Sequence, residues 1–587
     1  MKYFLAVSDL LQTIDFTAER ILYIEDGCIK EKNADAALIL DKSLKSSEEV
    51  QKAFEETDIV YEAVLESISK ALNNFHHINF NKEVWRILLF EWLGYYIEAM
   101  YHKLINVNRA LEYGEIYSNS MDQRSYQHPF FWRGFWMWAL RKDSYNFQLY
   151  SNVLQFKGIE IKENISVNEP VKGIITKHRK KTKDRIRSML RKTVNRLSCK
   201  AETLIVNPHN FGFTIKHLLM LVIRSRLKIG FFYPEEIEIR TTDYDKSIRE
   251  KINVRSESNY DCELKKLVSA YVMQDMPIIF VEGFKEAWES VRNFQCKNII
   301  SAEDYSEDCR VSILMAATRN RKGKIYLIQI GGDADIPLGR SEALLDARIA
   351  DVLYSGGWKN KKYPCIIGKL TNPRYWKAKK AVKNCYKKYD IMYVGTAVPA
   401  YRLVLGLGSS LWPREYLNDN IELIAHLVED RDYKMKVRFL SFNEGWRMEE
   451  RLRRRLKEGG REKRVALDDC TKRLIDTVQD CKLCIVSSIE TVWAEMLVMG
   501  IPVLFFIPEY LEYYSEEGWK LVDKLKAAGI YFHSYQEIIQ CLDNINDLGK
   551  WWQEKDAVIH EIRNQYCWCA ENPPKEWMDE FVRVSKE

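Results

Sequence analysis

Residues 487–506 read SSIETVWAEMLVMGIPVLFF: two serines, a stretch of helical composition, a Gly-x-Pro turn and a purely apolar run. Leu483-Cys484-Ile485-Val486 before the serines and Val503 to Ile507 after the turn are short apolar runs of the kind found in parallel strands buried on both faces. Between them, Glu490 to Met499 is helical in composition, and Gly500 with Pro502 ends the helix. The order predicts a β-α-β unit. It places Ser487, Ser488 and Thr491 where a strand ends and a helix begins, and there free N–H groups and the helix dipole favour an anion. In α/β proteins that is the phosphate position. Each such contribution is worth only about 0.3–2 kcal/mol, so several must converge to hold a nucleotide. A lone serine before a helix is more often a plain N-cap, and the rest of the chain has to decide between the two readings.

At 587 residues the chain is too long for one hydrophobic core, so two domains are expected. A hydrophobic content of 46% and an aromatic content of 12% describe a folded protein. The net charge of +6 falls well short of the concentrated basicity of a nucleic-acid-binding domain, so no nucleic-acid partner is expected. Thirteen irregularly spaced cysteines without a signal peptide read as reduced thiols and a cytoplasmic location. Cys481 and Cys484 form a lone CxxC running into a strand, and Cys567 and Cys569 flank Trp568; both pairs are expected to be packing residues. No apolar run reaches the ~20 residues that span a bilayer. The nearest, FFWRGFWMWAL at 130–140, is interrupted by Arg133 and Gly134. It is read as a core helix, with an interfacial patch that meets a lipid-linked substrate as the alternative.

Along the chain, KYFLAV at 2–7 and RILYIED at 20–26 read as the opening strands of an α/β domain. From about 46 to 200 the pattern turns helical and aromatic, as in VWRILLFEWLGYYIEAMYHKLINVNRAL. This insertion ends in a basic helix at 177–200, with Ile186, Met189, Leu190 and Val194 on one stripe. The stripe is expected on a solvated helix face, with attraction to anionic lipid or a polyanionic glycan as the sharper reading. MPIIFVEG at 276–283, NIISAED at 298–304, KIYLIQIGG at 324–332 and ADVLYSGGW at 350–358 read as further strands, and basic 359–390 as a linker. A second series follows in IMYVGTAVP at 391–399, KMKVRFLSF at 434–442, KLCIVSS and IPVLFFI. Strands alternating with helices predict doubly wound parallel sheets, one in residues 1–385 and one in 386–587, facing a central cleft.

Six stretches in order resemble a known family: LNNFHHINFNKEVWRILLFEWL at 72–93, IQIGGDADIPLGRSEALLDARIADVLYSGGW at 328–358, YVGTAVPAYR at 393–402, VRFLSFNEGWRMEERLRRRL at 437–456, TVWAEMLVMGIPVLFFIPEYLEYY at 491–514, and DKLKAAGIYFHSYQEI in the tail. The chain resembles bacterial transferases of surface-carbohydrate biosynthesis first catalogued in spirochaetes. Their fold is similar to that of GT-B glycosyltransferases, with two Rossmann-like domains. The resemblance implies that the first domain presents the acceptor and the second grips a nucleotide-sugar donor. It puts Thr491 and Glu495 in the donor pocket, the hydroxyls of Ser487, Ser488 and Thr491 on phosphate, and Glu495 on ribose or sugar hydroxyls. Gly331, Gly332, Thr396, Arg402, Arg438, Asn443 and Arg447 complete the implied donor set; arginine suits bidentate phosphate contacts. Ile330 and Phe442 stand where related sequences carry histidines, which leaves donor preference and activity open. His76 matches a family position and is a candidate general base, against the reading of a satisfied structural histidine.

Asp333-Ala-Asp335, directly after a strand and a glycine pair, resembles the Asp-x-Asp that holds Mg²⁺ or Mn²⁺ in GT-A glycosyltransferases. No cofactor is expected on a GT-B scaffold, and these aspartates are alternatively the base that deprotonates the acceptor. Three functions are therefore carried forward. The first is glycosyl transfer, with a CMP-linked ulosonic acid such as Kdo or a sialic-like acid as preferred donor and a surface glycan or lipid-linked precursor as acceptor, at the inner face of the cytoplasmic membrane. The second is polyol-phosphate transfer from a CDP donor. The third is a catalytically silent glycan-binding or scaffold protein.

Overall fold

The computed structural model describes residues 2–587 apart from 30–37, 168–181, 241, 255–259, 303, 330, 333–334, 340–341, 384–385, 407–411 and 440–445. Three parallel sheets are built from these residues. The first pairs β1 (Lys2–Ala6), β2 (Ile21–Tyr23), β3 (Leu38–Ile39), β4 (Glu115–Met121) and β5 (Glu160–Ile165) in the order β3-β2-β1-β4-β5. The second holds β6 (Thr203–Val206), β7 (Ile229–Phe232), β8 (Asn298–Ser301), β9 (Lys324–Ile328), β10 (Val352–Ser355) and β11 (Ile366–Lys369) in the order β11-β10-β9-β8-β6-β7. The third holds β12 (Tyr389–Val394), β13 (Met435–Arg438), β14 (Val465–Leu467), β15 (Cys481–Val486), β16 (Val503–Phe506) and β17 (Tyr531–Phe532) in the order β14-β13-β12-β15-β16-β17. Relative to its own first strand the third sheet runs 3-2-1-4-5-6, the Rossmann order, whose direction reverses between β12 and β15.

The second and third sheets are the two expected Rossmann-like sheets, and they meet where the Gly332 N–H, beyond β9, donates to Thr491 Oγ1, beyond β15. The region 46–200, expected as a helical insertion, differs. Together with β1 and β2 most of it forms a parallel sheet of its own, whose crossover helices include Ser47–His76 and Lys82–Tyr113. Helix Lys82–Tyr113 is buried on most of its circumference, Arg86, Glu91, Glu98 and His102 included, because it also packs against helix Cys309–Asn320 of the second sheet, so sequence periodicity could not assign it a wet side. Helix Trp132–Arg141 buries Trp132, Phe135, Ala139 and Leu140, in keeping with the core reading of FFWRGFWMWAL.

Two further expectations are corrected. MPIIFVEG is a buried 3-10 turn, Ile278–Phe280, whose Ile278 and Ile279 N–H groups donate to the Pro129 and Phe130 carbonyls. The presumed linker 359–390 contains β11 and helix Pro373–Ala381, which packs against helix Thr491–Met499. The last helix, Pro573–Val584, leaves the third sheet and returns to the second, where Trp577 and Phe581 pack on Phe211 and Phe213. The chain thereby ties the two Rossmann-like domains at both ends of the crossing.

Candidate functional site

The quoted stretch folds as predicted. Helix Thr491–Met499 follows β15, and its carboxyl end is closed by Gly500 at φ 71°. The Ile501 N–H donates to the Met496 carbonyl at 3.0 Å, the closure that a left-handed residue permits. At the other end, the N-cap Glu490 makes no side-chain capping bond, so the first-turn N–H groups keep their capacity for an anion. This helix start lies at the reversal of strand order between β12 and β15, the place where doubly wound sheets open a crevice.

Side chains from both strands meet there. The Thr396 N–H, just past β12, donates to Ser487 Oγ at 3.2 Å and to the Tyr416 hydroxyl at 3.1 Å. Ser487 and Tyr416 are themselves hydrogen-bonded, and burial pushes the Tyr416 phenol up to about 12. Thr396 Oγ1 donates to Glu490 Oε1 at 2.5 Å. Burial raises the Glu490 carboxyl above its ordinary range, and the Thr396 hydrogen bond offsets part of that rise. Thr396→Val keeps the shape but removes this donor; a loss of about 1–3 kcal/mol is expected, with Thr396→Ser close to wild type. Thermal denaturation of the two variants checks it, and equal losses would show that the hydroxyl contributes nothing.

The second Rossmann-like sheet supplies the facing wall. The Gly332 N–H, beyond β9, donates to Thr491 Oγ1 at 3.2 Å. A Cβ on Gly332 would lie 2.7 Å from Thr491 Cα and 3.1 Å from the Glu490 carbonyl oxygen, so only glycine permits this approach of two backbones. Gly331 beside it accepts from Gln329 Nε2 through its carbonyl at 3.0 Å. Ser488 is half-buried at the helix start. Glu495, one turn into the helix, is half-buried and pushed up to about 7 by burial, while Arg374 and Arg473 pull it back. Those two arginines come from the start of helix Pro373–Ala381 and from the segment after β14.

Other predicted residues lie elsewhere. Arg438, at the end of β13, is buried in an ion pair with Asp468 at 2.8 Å and also donates to the Lys472 carbonyl. Arg402 faces the first sheet, where its charge acts on Asp26, Lys42 and His102. Arg447 is exposed in the left-handed region before helix Met448–Glu458. His76 ends helix Ser47–His76 with Nε2 3.0 Å from the Phe280 carbonyl and its ring against Phe284; burial lowers its pKa. These are the contacts of a satisfied core histidine. Asp333 and Asn443 lie outside the described residues, as do Ile330 and Phe442.

Asp335 is buried, accepts from Asn360 Nδ2, and is pushed up to about 6 by burial with Glu517 adding to the rise. Asn360 lines a cleft of about 800 Å³ between the Rossmann-like domains, walled also by Trp358, Ile366, Glu517 and Gln565. Among the described residues no three His, Cys, Asp or Glu side chains converge in a way that would hold a metal ion. Cys481 and Cys484 are buried thiols raised by desolvation.

Sequence reading missed Glu490, Tyr416, Arg374 and Arg473. Glu490 carried a signal, a carboxylate directly before a helix start. The arginines carried none, because their partner is more than 20 positions away.

A search of curated proteins returned no match. Among solved structures the chain is similar to MurG of Acinetobacter baumannii, at 9% identity, TM-score 0.33, covering 65% of this chain and 99% of that one. It is similar also to an O-GlcNAc transferase variant of Thermobaculum terrenum, at 12% identity, TM-score 0.33, covering 90% and 98%. A third is the UDP-GlcNAc 2-epimerase of Methanocaldococcus jannaschii, at 11% identity, TM-score 0.32, covering 65% and 99%. These likenesses are weak, and the domain assignment rests on strand order and register. Residues 3–581 match the profile of the LIC12162 family transferases. The chain belongs to that family.

Proposed function

We propose that this transferase is a glycosyltransferase that moves a sugar from a nucleotide donor to a cell-surface glycan or its lipid-linked precursor. The observation that carries the reading is the meeting of Gly332 with Thr491 at an uncapped helix start, at the strand-order reversal of a Rossmann sheet. The hydroxyls of Ser488 and Thr491 and the first-turn N–H groups would take the donor phosphate, with Thr491 still able to donate its own proton. Glu495 would accept hydrogen bonds from ribose or sugar hydroxyls. Arg374, beside it, adds positive potential where the leaving phosphate gains charge, and Arg473, paired with Asp476 at 2.8 Å, contributes less.

In the transfer, an acceptor oxygen attacks the anomeric carbon and the bond from that carbon to the phosphate oxygen breaks. The electron pair leaves with the nucleotide, and the acceptor proton goes to a base. Asp335, raised toward neutrality beside the interdomain cleft, is the proposed base. His76, tied to a backbone carbonyl among aromatic rings, is less suited to the role. Metal-independent transfer is proposed, with the helix start and arginines supplying the charge that an ion would otherwise supply. The preferred donor is a CMP-linked ulosonic acid, because similar folds transfer such acids from CMP donors, with UDP- and GDP-hexoses as the alternatives.

Thermal-shift titration against CMP, CDP, UDP and GDP, each with and without Mg²⁺ or Mn²⁺, tests this. A nucleotide at a hundred times its dissociation constant should stabilise by about 2.7 kcal/mol. Metal-independent stabilisation by CMP supports the proposal. A CDP response turns it toward polyol-phosphate transfer, and a metal-dependent UDP or GDP response toward aspartate-bound metal. Silence across the panel leaves the non-catalytic reading.

A further inference from the structure

The second sheet ends at β7, and the two helices that flank this edge are unusual outside. Helix Thr182–Ser198 lies along the strand itself: the Phe231 and Tyr233 N–H groups donate to Ser198 Oγ at 2.9 Å and Asn195 Oδ1 at 2.8 Å. Helix Ile215–Arg224 covers the adjoining face through Leu218, Leu221 and Val222, and Val194 of the first helix reaches the same apolar cluster. With their inner sides engaged in this way, both helices should be polar outside.

They are not. Ile215, Leu219 and Ile223 recur every fourth residue on the outer side of helix Ile215–Arg224 and are 78%, 58% and 71% exposed, and Leu227 follows them. Ile186, Met189, Leu190 and Leu197 are exposed on helix Thr182–Ser198. Of the 19 large apolar side chains exposed among the described residues, 9 fall between 186 and 227, which marks this edge as a surface built to be covered.

Charge identifies what covers it. Residues 182–198 hold six Lys or Arg and one Asp; residues 214–228 hold four and no acid. Arg191, Lys192, Arg224 and Lys228 have acidic partners, whereas Arg185, Arg187, Arg196, Lys216 and Arg226 make no ion pair among the described residues. A second copy would bring two such positive faces together, which like-charge repulsion opposes. Nucleic acid would match the charge but has no use for a stripe of Ile, Leu and Met, since bases stack on aromatic rings. A surface that is both apolar within and negative at its rim fits both features. We propose that the outer faces of helices Thr182–Ser198 and Ile215–Arg224 dock the protein on an anionic phospholipid bilayer, the aliphatic side chains entering the acyl boundary and the unpaired basic residues resting on headgroups.

This face is separate from the helix start that would bind the donor, so the two readings fail independently. The test is co-sedimentation of the full chain with phosphatidylcholine vesicles that contain or lack phosphatidylglycerol. The expected result is binding that requires phosphatidylglycerol, weakens with added salt, and drops about tenfold or more in Leu219→Glu and again in Ile223→Glu. Both side chains are exposed, so unchanged melting temperatures and unchanged nucleotide-induced shifts in the variants would confirm that the fold and donor site are intact. Absence of vesicle binding by the wild type, or equal binding by the variants, overturns the proposal. A concentration-dependent dimer in light scattering that the same substitutions dissolve assigns the face to a second copy instead.

Discussion

Arg438→Ala is expected to destabilise the protein by roughly 3–5 kcal/mol, because it strands a buried charge. The Asp468 carboxylate is 3% exposed, and Arg438 Nη2 at 2.8 Å is its compensating cation. The pair is imperfect. Arg438 Nε and Asp468 Oδ2 are both buried without a hydrogen-bond partner, so each ion depends heavily on the other. Arg447 offers the control: it is exposed, 3.9 Å from Glu450, and its alanine variant should lie within about 0.5 kcal/mol of wild type. Urea midpoints of the two variants make the comparison, and a loss below about 1 kcal/mol in Arg438→Ala would show that water reaches the pair. The double variant Arg438→Met, Asp468→Leu removes both charges and should regain most of the loss. It also separates two roles. The Arg438 carbonyl accepts the Gly395 N–H at 3.0 Å, a backbone bond that every variant keeps, so the side chain supports the strand end before Thr396 only through Asp468 and the Lys472 carbonyl. A refolded double variant that binds nucleotide as wild type does would confine Arg438 to that support; one that does not would return it to the phosphate site.

Arg438 also shows where sequence reading reaches its limit. Its strand was legible, as were β12, β15 and β16, because strands covered on both faces are continuous apolar runs. Its partner Asp468 was not, because pairing across a sheet between residues 30 apart leaves no local pattern. The first sheet was legible at β1 and β2 and hidden in the rest. β4, EIYSNSM, fell within the stretch expected to be helical, because it lacks an apolar run: buried Ser118 satisfies its hydroxyl on the Leu5 carbonyl of the neighbouring strand. β5, EIKENI, lies at the sheet edge, largely exposed, and loses the apolar signal altogether. MPIIFVEG erred in the opposite direction: burial gave it a strand's composition, while Pro277 and Gly283 bound a turn too short for one. At the site, the helix start was legible because its residues are contiguous. The Thr396–Ser487 and Gly332–Thr491 contacts, across 91 and 159 residues, exist only once the sheets are assembled.

Glu495 joins that assembled site to a pH dependence, and Glu495→Gln is expected to remove it. The carboxyl is held near 7 in the folded protein against an ordinary 4.5, with burial outweighing the pull of Arg374 and Arg473. Below about pH 4.5 it is protonated folded or unfolded and its effect on stability is constant. Between about 4.5 and 7 the unfolded chain has released the proton and the folded chain has not, so stability falls as pH rises and the loss is complete above about 7. Glutamine stays neutral throughout. The variant should therefore match the wild type near pH 4 and become progressively more stable than it up to about pH 7.5, after which the gap holds steady. Asp275 and Asp335, both raised toward 6 by burial, titrate in the same window, but they are common to both proteins and cancel in the difference. Ligand binding should move the opposite way. If Glu495 accepts hydroxyl hydrogen bonds as a carboxylate, the wild type gains nucleotide or nucleotide-sugar affinity as pH rises through 7. The variant should lose the roughly 1.5–3 kcal/mol of a charged hydrogen bond, about 10- to 150-fold at pH 8, and show a flat profile. Urea melts and thermal-shift titrations across pH 5 to 8 give both curves. A stability gap without an affinity gap would mean that Glu495 is a desolvated neighbour of two arginines and no part of the donor pocket, and the site would then reduce to the helix start and the strand ends that hold it.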